Sequence, residues 1–190
     1  MRVFWLVAIV AAAVANPALL NAKADNPELN CVHDRAARED IEAVWNAQHE
    51  HRTPTAAESA AMDRIAGVTG PCIDQYHWSR ERAAMAVTYA VARVIFEDSL
   101  RELDARGVSR AIFDRIAADL GERGRAAITN QDRSDGNFQF VGETVARDLS
   151  EGHVPVQSGS PELIEIARLL AHALSAQVDI DRATALFGTP

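Results

Sequence analysis

The sequence predicts an all-α protein: a single-domain bundle of six or seven helices with one disulfide. Three observations carry the prediction. Apolar residues recur at helical spacing through most of the chain, and no stretch alternates with period two for long enough to make a strand. Glycines, prolines and capping residues fall between the periodic segments. A chain of 190 residues has the length of one domain, enough to bury one sizeable core.

The first 24 residues stand apart. Met1-Arg2 opens the chain, Val3 to Ala15 is apolar, Asn16-Pro17 breaks the run, and Ala22-Lys23-Ala24 follows. A positive start, a short apolar middle and a small-x-small tripeptide are the parts of a secretory signal. The apolar run, about 13 residues, falls short of the roughly 20 that a membrane-spanning helix needs. The expectation is cleavage after Ala24, leaving a mature domain of residues 25–190 that has no stable membrane insertion. Ala13-Val14-Ala15 offers a second cleavage site, and retention as an uncleaved anchor is the alternative outcome.

Residues 25–31 contain Pro27 and read as an extended lead-in. From about Asp34 to Gln48, Ala37, Ile41, Val44 and Trp45 fall at helical spacing. After Arg52-Thr53-Pro54, Thr55 and Glu58 form a capping box for a short helix that Gly67 and Gly70-Pro71 end. Ser79 caps the longest helix, about Arg80 to Arg106, closed by Gly107. Its middle, Ala83 to Phe96, is apolar nearly all round, the pattern of a helix surrounded by others. Glu97–Arg101 and Glu102–Arg106 are favourable pairs four apart.

Ser109 opens the next helix, with a stripe of Ile112, Phe113, Ile116, Ala117 and Leu120, weakened near its end by Gly121 and Gly124. Thr129 to Asn137 reads as a polar loop. Phe138, Val141, Val145 and Leu149 share one face of a further helix. Ser160-Pro161-Glu162 starts another that runs to about Val178. A short last helix covers Asp181 to Phe187. The helices at 80–106 and 161–178 are the most apolar and belong at the centre.

Charge and cysteine usage bound the function. Without residues 1–24 the chain keeps all 27 acidic residues against 17 basic ones, a net charge of about −10. Nucleic acid and anionic membrane surfaces favour basic patches and are therefore poor partners. Lys23 is the sole lysine, so every mature cation is arginine, a bias that suggests a GC-rich bacterial genome. A periplasmic or secreted location follows from the leader. In that compartment Cys31 and Cys72 are read as a disulfide. Zinc held by Cys31, His33, Cys72 and His77 is the rival reading, but the spacing matches no standard pattern.

Few constellations suggest chemistry. His49-Glu50-His51 resembles a metal motif, yet helical residues two apart point about 200° apart, and two ligands make no site. Gln131 to Gly136 resembles the glycine turn of a calcium loop but puts Gln131, Arg133 and Gly142 where ligands are required. His172 shares a face with Glu165 and Arg168 and is expected to be exposed. No Gly-x-Ser-x-Gly sequence or glycine-rich phosphate loop occurs. The sequence calls for no metal and no cofactor, and it names no catalytic residue.

Two clusters remain. Arg82, Tyr89, Arg93 and Glu97, spaced seven, four and four apart, lie on one face of the longest helix. They are candidates for binding an anion or placing a carboxylate for acid–base work; the competing reading is an Arg93–Glu97 pair on a solvated stripe. Tyr76, His77 and Trp78 precede that helix and are interface candidates if exposed. The best-supported expectation is a periplasmic protein-interaction module of inhibitor, immunity or accessory type, with a preferentially basic exported partner. A small-ligand binder or envelope enzyme using the Arg82 to Glu97 face is the alternative, and self-association is a third.

Overall fold

A computed structural model describes residues 26–49, 53–128, 135–157 and 159–188. The leader, Glu50-His51 and Gln131 to Ser134 lie outside the described residues. Among those described there are seven helices and no strand. They are α1 (Pro27–Asn30), α2 (Arg38–His49), α3 (Ala56–Tyr76), α4 (Arg80–Ala105), α5 (Arg110–Ile128), α6 (Asp135–Glu151) and α7 (Pro161–Gly188).

The helix starts follow local chemistry. The Asn26 side chain accepts from the amides of Glu28 and Leu29, so the lead-in is a capped helical turn instead of extended chain. The Thr55 and Glu58 side chains each accept from the other's backbone amide, completing the capping box. Ser79 and Ser160 accept from the amides of Arg82 and Leu163.

Helix ends obey local signals less well. α3 continues through Gly67, Gly70 and Pro71 to a left-handed cap at His77. Gly70 carries no Cβ to collide with the proline ring, so helical backbone remains open to it. The buried face formed by Ile65, Thr69 and Cys72 then outweighs the lost proline donor. α6 begins at Asp135, within the expected loop. The two expected C-terminal helices are one, because Ala176, Ile180, Ala183 and Phe187 keep helical spacing against the core with no breaker between them.

α4 and α7 are the most extensively packed pair and run antiparallel. Near one end the Arg82 guanidinium lies 5.4 Å from the Phe187 ring, and near the other Arg106 is 4.0 Å from Glu165. The pair carries two apolar clusters. One gathers α1, α2, α3, the first half of α4 and the end of α7. The other gathers the end of α4, α5, α6 and the first half of α7. Phe96 packs against both. Cys31 and Cys72 form a disulfide, their Cα atoms 6.0 Å apart, which fastens the chain after α1 to α3. α5 bends at Gly121, whose φ of 54° and ψ of −152° lie in a region that glycine alone adopts readily. No described helix is long and apolar enough to cross a membrane.

Candidate functional site

The four residues sharing a face of α4 separate into two clasps. Tyr89 is 4% exposed, and its hydroxyl donates to Asn30 Oδ1 at 3.1 Å. Arg93 donates to the same oxygen at 2.9 Å and to Glu97 at 3.1 Å. Burial works against the Arg93 charge, but Glu97 and Tyr89 more than offset it and hold the guanidinium above its ordinary pKa. Arg82 turns elsewhere and donates to Glu28 Oε1 at 3.2 Å, an oxygen that also accepts from Trp78 Nε1 at 2.7 Å. Both clasps tie the α1 segment to α4. Arg93 and Glu97 do pair along the helix, but Asn30, from 63 positions upstream of Arg93, completes the set. Nothing local could have marked Asn30.

The aromatic trio is mostly interior. Trp78 is 6% exposed, stacks on Tyr76 with centroids 5.7 Å apart, and meets Phe187 edge-on. Tyr76 is half-buried and donates weakly to the Pro27 carbonyl at 3.4 Å. Only His77, in the left-handed cap of α3, is exposed. Trp78 and, in part, Tyr76 therefore pack onto neighbours.

A polar cleft of about 240 Å³ opens where α2, α4 and α7 meet, bordered by Glu42, Trp45, Asp98, Glu102, Arg168 and His172. His172 is half-buried, against the exposed position expected, because Trp45 from α2 packs edge-on to it at 5.5 Å. Arg168 lies 3.2 Å from His172 Nδ1. A guanidinium only donates, so a hydrogen bond here requires an unprotonated Nδ1 on His172. Ion pairs dominate the rim. Arg38 holds Glu42 and Asp98, and Arg101 also reaches Asp98. Arg168 holds Glu165, and its hydrogen bonds, aided by its charge, keep that carboxyl below its ordinary pKa. Among the described residues no group of three or more His, Cys, Asp and Glu is placed to hold a metal ion.

The seam between α5 and α6 buries charge. Asp148 is fully buried; Arg147 donates to Oδ1, and Arg115 donates to the Asp148 backbone carbonyl at 2.5 Å. Asp148 Oδ2 and Arg115 Nε are left with no hydrogen-bond partner. Such buried, unsatisfied polar atoms cost stability. No sequence pattern indicated them.

Two grooves are lined almost wholly by apolar atoms. The larger, about 480 Å³, lies between α2, α3 and α4, with Val44, Met62, Ile73 and Val87 as walls and Ala66, Gly70 and Ala84 as its low points. The buried Thr69 hydroxyl donates to the Ile65 carbonyl at 2.7 Å, which satisfies the one hydroxyl in that lining. The smaller, about 230 Å³, lies between α6 and α7, lined by Val141, Val145, Leu163, Leu170 and Leu174. It exists because α6 packs along α5 and stands away from α7.

The two large hydrophobic side chains that stand exposed among the described residues belong to the two helices that form this second groove. Phe138, 47% exposed, lies one turn before the groove-lining Val141 and Gly142; Ile164, 67% exposed, follows Leu163. By helical spacing Phe138 shares a face with Val141, Val145 and Leu149. The buried face holds Thr144 and Asp148, and Phe138 falls outside it. Helical spacing locates a stripe but not the neighbour that covers it. Comparison with protein-family models, curated proteins and solved structures gave no match.

Proposed function

We propose that this chain is an exported protein-interaction module of inhibitor, immunity or accessory type, and that the α6–α7 face is its docking surface. One observation carries the reading: Phe138 and Ile164, both exposed, stand on α6 and α7, the helices that form an apolar groove of about 230 Å³. Exposed apolar clusters of this kind mark association surfaces, and a large anchor beside a pocket is the arrangement of an interface hot spot. The exported setting rests on the leader and on the Cys31–Cys72 bridge. The net charge, −8 for the whole chain, favours a basic partner by steering its approach. The alternative of a ligand site on the Arg82 to Glu97 face has less support, because Tyr89 is buried and its hydroxyl is engaged by Asn30.

The test is affinity capture from a native envelope extract with the mature chain and with a Phe138→Glu, Ile164→Glu double variant. Both positions are exposed, so the variant keeps its fold, which circular dichroism checks. A partner recovered at near-equal stoichiometry by the parent and lost by the variant supports the proposal. Equal recovery by both, or recovery of the chain alone, refutes it.

A further inference from the structure

We infer that the larger groove, between α2, α3 and α4, is a binding site for a single-chain amphiphile with an anionic head, a fatty acid in the simplest case. This site shares no lining residue with the α6–α7 groove and stands independently of the interaction proposal.

Three observations carry the inference. The first is size: about 480 Å³ lies within the roughly 300–1,000 Å³ typical of small-ligand sites. The second is chemistry. The walls are aliphatic, and Thr69 turns its hydroxyl back to its own helix. No carboxylate lines the groove, in a chain with 27 acidic residues. Apart from Arg80, such a lining suits an alkyl chain and offers a polar ligand no side-chain partners.

The third is charge. Arg80 is the single charged residue of the lining. Most arginines of the described chain are engaged by carboxylates or backbone carbonyls, as in Arg64–Asp40, Arg93–Glu97 and Arg115 to the Asp148 carbonyl. Arg80 makes no hydrogen bond or ion pair with any described residue. It occupies the first position of α4, where the unpaired amides of the helix start add positive potential. An unpaired guanidinium in the lining of an otherwise aliphatic groove suits an anionic head joined to an apolar tail.

The groove also has no interior plug. A Cβ added at Gly70 would meet nothing within 4 Å, and Ala66 and Ala84 are exposed. Small side chains therefore keep the space open.

The probe is laurate, titrated below its micelle concentration into the folded, disulfide-intact protein by calorimetry, with dodecanol and dodecylamine as matched neutral and cationic chains. Laurate is expected to bind best, and added salt should weaken laurate but not dodecanol. Arg80→Gln should weaken laurate about fivefold, the scale of a partly exposed ion pair, and leave dodecanol unchanged. Ala84→Trp, which fills the groove, should abolish binding of both; Ala66→Trp is the substitute if that variant fails to fold. The inference is overturned if laurate does not bind, if dodecylamine binds as well as laurate, or if groove-filling leaves affinity unchanged. Loss of a protein partner on Ala84→Trp without laurate binding to the parent would assign the groove to protein docking and likewise overturn it.

Discussion

Opening the Cys31–Cys72 bridge should destabilise the fold without dissolving it. The bridge joins residues 41 apart in sequence. Releasing a loop of that length returns about 13 cal/mol/K of entropy to the unfolded chain, or about 4 kcal/mol at 25 °C. For a domain of this size the midpoint of thermal unfolding should fall by about 8–16 °C. The folded state should persist, because the tethered segment is held by more than sulfur. Leu29 and Val32 are fully buried, Glu28 accepts from Trp78 and Arg82, and Asn30 accepts from Tyr89 and Arg93. The assay is urea unfolding of the oxidised protein, the reduced protein, and the variants Cys31→Ala, Cys72→Ala and the double. The reduced protein should keep native helicity in buffer and show a larger dependence on urea, since its unfolded chain exposes more surface. Either single variant should cost nearly as much as the double, because each opens the same loop. A loss under about 1 kcal/mol on reduction would refute the loop-entropy reasoning. So would single variants that add up to the double.

Two further outcomes are expected. Gly121 and Gly67 both face open space, but only Gly121 has a positive φ. Gly121→Ala should therefore cost about 1–3 kcal/mol, while Gly67→Ala, in regular helix, should stabilise by about 0.5–1 kcal/mol; thermal melts giving both changes the same sign would contradict this. Asp40 receives hydrogen bonds from Arg64 Nε and Nη2, and that guanidinium holds its carboxyl below the ordinary pKa despite the opposing effect of burial. The folded pKa is thus lower than the unfolded one. The stabilisation is fully present above about pH 4 and is lost as pH falls through the lower, folded value. Asp40→Asn should accordingly be less stable than the parent at neutral pH, with the gap closing below about pH 4. Urea midpoints whose difference does not change between neutral and acid pH would exclude the Asp40–Arg64 contribution.

Much of the fold is legible along the chain because its signals act within one turn. Thr55 and Glu58 find each other three residues apart, Ser79 reaches the amide of Arg82, and Arg93 reaches Glu97. The candidate sites are less legible. The α4 face was visible as a pattern, yet its partners Glu28 and Asn30 come from the start of the described chain. Arg80 attracted no notice in sequence, because an arginine at a helix start is ordinary. Its meaning depends on the aliphatic walls that α2 and α3 bring beside it.

The sequence by itself determined the all-α class, the capped helix starts at Thr55, Ser79 and Ser160, and the cysteine pair available for bridging. These follow from backbone capping, hydrophobic periodicity and composition, all short-range properties. Only the tertiary structure decided that α3 passes through Pro71, that α7 is one helix, that Trp78 is buried while Phe138 is exposed, and that two apolar grooves stay open. Each depends on which distant helix covers a given face. That choice is fixed by the burial available when α4 and α7 pair across more than 50 residues of intervening chain.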